Sequence, residues 1–208
     1  ALEYPDPSIM GRSVGAYIHD DHIIVVNREP WAYVYRLDFF HRVGGVWTLI
    51  QSQPYADSLV PADELVQMDF PFAHVVVPLP DSEYLLDIGG IDTYRFDDAS
   101  STWELFTEWD RPPVEGPARP VDASQFAAST PRIGMGTSDC DSWVVTFDGA
   151  EWSYVEVPPS IYGSCSRPAI GGTGDWAARK TTGWLHDVFR LGPQGPSYFD
   201  TVNVYNAV

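Results

Sequence analysis

The sequence predicts an all-β protein that folds as a β-propeller of about four four-stranded blades. First, a motif returns four times at intervals of roughly fifty residues, a spacing typical of repeat proteins. Second, the segments between turn residues are rich in Val, Ile, Tyr, Phe and Trp, which favour strands. Third, no marked helical periodicity runs through the chain. A β-sandwich and an open array of blades are the alternatives that these observations leave.

The repeated motif consists of a strand, a short polar turn and a second strand that opens on a large aromatic residue. The opening residues are Trp47, Trp103, Trp152 and Tyr198. A single four-stranded blade cannot bury both of its faces, so we expect the three Trp residues to pack between stacked blades. The motif places four repeats in a single domain, at approximately residues 12–52, 70–108, 119–158 and 166–206.

Each repeat divides into four short predicted strands, A to D, that end at Gly, Pro, Asp or Ser. In the first two repeats the strands are predicted at 14–19, 22–26, 32–37 and 46–51, and at 74–78, 84–88, 93–96 and 103–107. In the last two they are predicted at 125–129, 132–135, 142–147 and 152–157, and at 168–171, 176–179, 185–191 and 198–205. Only residues 61–68, within a long connection, could form one or two helical turns.

The second repeat carries a more specific pattern. An apolar segment ends in the pair Gly89-Gly90, an aromatic-Asp step follows at Phe96-Asp97, and Trp103 comes seven residues after the aromatic. This pattern resembles a kelch repeat, and the resemblance implies a kelch-like β-propeller. A glycine pair suits strand ends that are crowded near a propeller axis, because glycine has no Cβ and adopts φ angles closed to other residues.

Net charge limits the classes of partner. The 208 residues carry 29 acidic and 12 basic side chains, which gives a formal charge of −17. Since affinity for nucleic acids depends on neutralising phosphates, this balance argues against a nucleic-acid partner. No uninterrupted apolar run approaches the ~20 residues of a membrane span. An acidic, aromatic-rich chain of this kind fits a protein in extracellular fluid that attracts cations or basic partners.

The two cysteines are predicted to form a disulfide. Cys140 falls in the B–C loop of the third repeat and Cys165 in the connection that leaves its D strand. Strands B and D run in the same direction, so both loops emerge on one side of the blade. Closing such a loop contributes about 3 kcal/mol in the chain-entropy model, and the bridge implies an oxidising, extracellular location. Two free thiols are the alternative.

The same side of the predicted blades receives the longest connections, residues 53–69 and 109–124. Long loops on a rigid scaffold are where binding usually occurs. Exposed Trp beside carboxylates suits a protein contact or stacking on a sugar. The candidate binding residues are therefore Trp31, Asp57, Asp63, Glu64, Trp109 and Asp110.

Catalytic motifs are not recognisable in the chain. It contains no HExxH, no GxxxxGK[ST] and no GxSxG, and His19-Asp20-Asp21-His22 is explained by turn chemistry at a hairpin. No catalytic residue, metal ligand or cofactor is assigned, although Ca²⁺ held by loop carboxylates stays open. We therefore expect a secreted, non-catalytic module that binds a protein partner or assembles into an oligomer. The alternatives are a glycan-binding, lectin-like protein and a hydrolase that uses an acidic pair.

The disulfide prediction has a direct test. Alkylation of the intact protein should label no thiol, whereas alkylation after reduction should label Cys140 and Cys165, as measured by the mass of the chain. Two labelled thiols without reduction would contradict the bridge.

Overall fold

A computed structural model describes residues 2–3, 12–28, 34–57, 66–79, 87–114, 120–137, 141–160, 166–181 and 183–203. The described residues form seventeen strands, β1 to β17, and contain no helix. No helix among them could therefore cross a membrane. The all-β prediction is confirmed for this part of the chain.

The strands form four sheets that follow one another along the chain. The first contains β1 (Leu2–Glu3), β2 (Arg12–His19), β3 (His22–Arg28), β4 (Val34–Val43) and β5 (Val46–Asp57). The second contains β6 (Val66–Asp69), β7 (Phe72–Pro78), β8 (Ile88–Asp97) and β9 (Thr102–Asp110). The third contains β10 (Asp122–Ala123), β11 (Arg132–Gly136), β12 (Ser142–Phe147) and β13 (Trp152–Glu156). The fourth contains β14 (Ala169–Ile170), β15 (Trp176–Lys180), β16 (Leu185–Gly192) and β17 (Gly195–Asn203).

Neighbouring strands in each sheet are consecutive in sequence, the order expected of a propeller blade. The exception is β1, which joins the outer edge of the first sheet and runs parallel to β5. The chain divides into two compact units: residues 1–85 with 89–108, and residues 86–88 with 109–208. We call them unit 1 and unit 2.

The core of unit 1 lies between its two sheets. Side chains alternate across a strand, so Ile24, Val26, Leu37 and Phe39 project from one face of the first sheet. They pack with residues of the second sheet that include Val75, Tyr94, Phe96 and Trp103. The opposite face carries a smaller cluster of Ile23, Val25 and Phe40, with Trp47 and Leu49 packed against it. The prediction that Trp103 belongs to the core is confirmed.

The core of unit 2 contains a buried cation as well as an apolar cluster. Val144, Val157, Ala177, Phe189 and Leu191 pack together. Arg179 is fully buried beside them and donates hydrogen bonds to Ser142 Oγ (2.8 Å) and to the carbonyl oxygen of Pro158 (2.7 Å). Its guanidinium also lies 3.8 Å from Asp187. Burial lowers the pKa of Arg179, and the nearby Asp187 opposes this shift.

Most predicted strands are confirmed, and the exceptions lie in the second and third repeats. The first strand of the third repeat was expected at 125–129, but it is β10 at Asp122–Ala123; residues 125–129 form an irregular connection in which the amide of Ala127 donates to the carbonyl oxygen of Arg132.

In the second repeat, residues 84–86 of the strand predicted at 84–88 lie outside the described residues. Residues 74–78 were expected to form its first strand, but they belong to the second strand, β7. The first strand is β6, which includes residues 66–68 of the segment 61–68 that was expected to form helical turns, so that expectation is wrong for these residues. Gly89 and Gly90 lie within β8, two and three residues into the strand, whereas the kelch pattern places its glycine pair at a strand end. The kelch resemblance therefore stays a prediction.

Two glycines of β11 allow a close backbone contact in unit 2. A Cβ on Gly134 would overlap the carbonyl oxygen of Pro168, and a Cβ on Gly136 would come within 2.9 Å of the Cα of Arg167. Residues 166–168 therefore run directly across the face of the third sheet, at a distance that only glycine allows. An ion pair between Arg167 and Asp122 joins the same segment to β10.

We predict that Gly134→Ala lowers the free energy of unfolding by about 3 kcal/mol, because the new methyl group meets backbone atoms that cannot move independently. Gly192→Ala is the matched control, since a Cβ at that position in β16 has no heavy atom within 4 Å. The control should change stability by less than about 0.5 kcal/mol. Equal urea midpoints for the two variants would contradict the close contact.

Candidate acid–base site

A carboxyl group with unusual surroundings lies in unit 1, at Asp92 on β8. Asp92 and Tyr94 are two residues apart, so they project from the same face of the strand. Gln51 and Gln53 have the same spacing on β5, and Glu108 lies near the end of β9. The interface between the two sheets of unit 1 thus brings three strands to one site.

A chain of hydrogen bonds orients the side chains of this site. The backbone N–H of Trp103 donates to Gln51 Oε1, and Gln51 Nε2 donates to Gln53 Oε1, each at 3.0 Å. Gln53 also bonds to the hydroxyl of Tyr94, which in turn bonds to Asp92. Because the carboxylate can only accept, Tyr94 donates its single proton to Asp92, and the amide nitrogen of Gln53 donates to the Tyr94 oxygen. Each hydrogen bond in this chain therefore has a defined donor and a defined acceptor.

The environment raises the pKa of Asp92 from 3.8 to about 6. Burial is the largest cause, because it disfavours the charged form, and the negative charge of Glu108 acts in the same direction. The hydrogen bond from Tyr94 opposes both effects. Burial, followed by the charge of Asp92, raises the pKa of Tyr94 to about 12, so its hydroxyl stays protonated at neutral pH.

The arrangement has the properties of a general base. Asp92 is partly accessible and Glu108 is exposed, so water can reach the carboxyl groups. A carboxyl group with a pKa of about 6 is ionised at pH 7, yet it is a stronger base than an ordinary aspartate. Tyr94 is held in the apolar core, with its ring centroid 5.8 Å from that of Phe39. Perturbed titratable groups of this kind mark candidate functional sites.

A separate concavity of about 480 Å³ lies at the far end of the same hairpin. It is lined by Arg95, Phe96, Asp97, Asp98, Ala99, Glu104, Leu105 and Phe106. Asp92 does not line it, and a single β-hairpin forms all of its walls. We therefore place the candidate site at Asp92, where charge, burial and hydrogen bonding coincide.

The binding residues predicted from sequence have different positions. Trp31, Asp63 and Glu64 lie outside the described residues, as do Cys140 and Cys165. Asp57 was expected in a loop but is the last residue of β5. Trp109 and Asp110 were also expected in a loop, and both belong to β9. The loop assignments of these three residues are wrong, because the outer strands β5 and β9 continue beyond their predicted ends.

Trp109 packs within unit 2, where its ring centroid lies 6.3 Å from that of Tyr154 on β13. Asp110 is exposed. Among the described residues, no group of three or more His, Cys, Asp and Glu side chains is arranged to hold a metal ion.

The sequence did not predict the acid–base site, because the acidic pairs that stand out in it are adjacent residues such as Asp97-Asp98. Asp92 and Glu108 are separated by a whole hairpin, and Gln53 belongs to another repeat. The available signal was an acidic residue two positions before Tyr94 in a predicted strand region, a spacing that places both side chains on one face of the strand.

The fold resembles that of solved proteins, although the sequence does not. No protein-family model matches the chain, and no curated protein matches it significantly in sequence. A protein from Lactobacillus plantarum aligns with a TM-score of 0.53 and 12% identity, over 92% of this chain and 55% of that protein. A candidate 6-phosphogluconolactonase from Bacteroides fragilis aligns with a TM-score of 0.52 and 12% identity, over 91% of this chain and 56% of that protein.

The chain therefore spans about half the length of these two structures. Together with the four blade-like sheets, the matches confirm the β-propeller fold class. The expectation of a non-catalytic binding or assembly module is wrong, because one of these two matches is a candidate 6-phosphogluconolactonase.

Titration of Asp92 tests the electrostatics of the site. Glu108→Gln should lower the pKa of Asp92 by removing a negative charge, and Tyr94→Phe should raise it above 6 by removing a hydrogen bond to the carboxylate. Carboxyl ¹³C chemical shifts measure both changes, with Asp110→Asn as a control that should leave the Asp92 titration unchanged. Shifts in the opposite directions would contradict the assigned contacts.

Proposed function

We propose that the protein is a hydrolase of uncharged lactones or esters, with Asp92 as its general base. The observation that carries the proposal is a partly buried carboxyl group whose pKa is about 6 and whose orientation is fixed by hydrogen bonds. The fold of the Bacteroides fragilis protein supports a hydrolytic enzyme of this class, although the identity of 12% supports no transfer of individual residues.

The proposed reaction begins with a water molecule beside the Asp92 carboxylate. Asp92 takes a proton from the water while the water oxygen attacks the carbonyl carbon of the substrate. The tetrahedral intermediate then collapses, the bond from the carbonyl carbon to the ring oxygen breaks, and Asp92 returns the proton to that oxygen. The product of a lactone and one water molecule is a hydroxy acid, and the base is regenerated.

Tyr94 and Glu108 have different roles in this proposal. Tyr94 holds the carboxylate of Asp92 in one orientation, and its own pKa of about 12 keeps the donated proton in place. Glu108 keeps Asp92 basic through its negative charge. Tyr94→Phe would change the position of Asp92 and Glu108→Gln would change its basicity, while the carboxyl group itself remained.

The charge of the site bears on the substrate. Asp92 and Glu108 are both acidic, and no Arg or Lys is among the groups that shift the pKa of Asp92. A phosphorylated lactone, as the name of the Bacteroides fragilis match implies, would be repelled here. We therefore propose a neutral substrate, and preference for the neutral over the phosphorylated form of one lactone would support it.

The remaining expectations from sequence also stand as proposals. We propose an extracellular location, which depends on the disulfide between Cys140 and Cys165, and a kelch-like blade sequence, which depends on the pattern around Gly89-Gly90. Bound Ca²⁺ and association into oligomers are further proposals, to be tested by metal analysis and by measurement of the mass in solution.

Asp92→Asn should reduce the rate of lactone hydrolysis by about 100-fold or more, the usual contribution of a general base. Hydrolysis by the wild type should increase with pH through about 6, because Asp92 must be ionised to accept a proton. A panel of neutral and phosphorylated lactones, followed by acid release at constant pH, provides the measurement.

Asp110→Asn is the matched control, since it removes one carboxylate from an exposed position on the same strand as Glu108. It should retain wild-type activity. Equal rates for the Asp92 and Asp110 variants, or no hydrolysis of any lactone by the wild type, would show that this site is not the base.

A further inference from the structure

A buried imidazole stands between two other rings in unit 1. The ring of His22, at the start of β3, stacks on His41 of β4 with a centroid distance of 4.6 Å and an interplanar angle of 8°. It also stacks on Phe70, in the turn that precedes β7, at 4.7 Å and 23°. His22 is therefore held by rings from both sheets of the unit.

Two further rings close the edges of this stack. Phe96 of β8 meets the His22 ring edge-on at 4.3 Å, and Trp103 of β9 meets it edge-on at 5.8 Å. His22 is only 6% exposed, and its Nδ1 is buried without a hydrogen-bond partner among the described residues. We call His22, His41, Phe70, Phe96 and Trp103 the imidazole stack.

The groups around the stack shift the pKa of His22 in both directions. Burial, followed by the neighbouring His41, lowers the pKa of His22, and His19 adds a smaller effect of the same sign. Asp21 and Asp98 raise it, so they offset part of the cost of protonation. The guanidinium of Arg42 lies 4.0 Å from the carboxylate of Asp21.

Protonation of His22 opposes this packing for two physical reasons. A charge would be placed among apolar rings with no acceptor at the buried Nδ1. The ring of His41 stacks directly on that of His22, and two stacked imidazolium rings would repel each other. The stack is therefore stable only while His22 is neutral.

We propose that the imidazole stack is an acid-sensitive latch that holds the first and second sheets of unit 1 together. The latch is closed at neutral pH and opens as the pH falls below about 6.5, where an exposed imidazole takes up its proton. Because the folded form disfavours the proton, its contribution to stability is complete above that pH and is lost progressively below it. This proposal does not rest on the proposed hydrolase activity.

Two backbone hydrogen bonds beside the stack can report its opening. The amide of Arg42 donates to the carbonyl oxygen of Asp21 at 2.8 Å, and the amide of Phe96 donates to that of Pro71 at 2.9 Å. The amide of Thr181, which donates to Leu185 at 2.9 Å in unit 2, provides an internal control.

The experiment is hydrogen exchange of the full chain followed by NMR, at about pH 7.5 and about pH 5, with rates corrected for intrinsic exchange. Protection of the Arg42 and Phe96 amides should fall several-fold at the lower pH, and that of Thr181 should change little.

His22→Phe keeps a ring of similar shape without a titrating group, so it should retain protection at both pH values. His186→Phe, in unit 2, should behave as the wild type.

Direct titration of the imidazole signals covers the case in which His22→Phe does not fold. In the wild type His22 should titrate below 6.5; His41→Phe should raise its pKa and Asp98→Asn should lower it. The proposal is overturned if His22 titrates at or above 6.5, or if its pKa moves oppositely in both variants. It is also overturned if the acid-induced loss of protection is absent in the wild type or persists in His22→Phe.

Protonation of His74 would not produce the same pattern of hydrogen exchange. It is also fully buried, but its Nδ1 lies 3.1 Å from Thr93 Oγ1, and burial lowers its pKa to about 3. Its ring lies outside the stack, so loss of protection through His74 would remain in the His22→Phe variant. That outcome would count against the latch.

Discussion

The apolar contact between the two sheets of unit 1 is the interaction on which its other features depend. Phe39 packs against Tyr94 at 5.8 Å and against Trp103 at 5.7 Å, and all three residues belong to one buried cluster. The contact fixes the ring of Tyr94, whose hydroxyl bonds to Asp92. It also fixes Trp103, whose backbone bonds to Gln51 and whose ring closes the imidazole stack. One packed interface therefore positions both polar sites.

Much of the fold could be predicted from local patterns, because hairpin turns and alternating apolar residues are properties of neighbouring residues. The strands β12, β15 and β16 agree with their predicted spans to within one residue at each end. The second repeat failed for a physical reason. Its first strand, β6, has only four residues, Val-Gln-Met-Asp, and a single β-branched residue with no aromatic residue is too weak a signal to distinguish a strand from a helical turn.

The candidate site could not be predicted in the same way. The pKa of Asp92 depends on burial and on Glu108, and the path through Gln51, Gln53 and Tyr94 depends on how two sheets meet. No spacing along one strand encodes these relations. Trp109 was predicted to lie in a loop, but it belongs to β9, which runs from Thr102 to Asp110. A strand on the outer edge of a blade can continue past the end of the repeat motif, and the motif alone does not show where it stops.

Burial has opposite consequences for the acids and the histidines of unit 1. It raises the pKa of Asp92 from 3.8 to about 6, so the cost of holding this group charged is removed as the pH falls through that range. It lowers the pKa of His74 from 6.5 to about 3, so the cost of charging that group appears over the same range and continues below it. Burial also lowers the pKa of His22. His22 and His74 therefore contribute stability that is lost in acid, whereas Asp92 acts in the opposite direction. Unit 2 contains only His186, so this source of acid sensitivity is concentrated in the unit that carries Asp92.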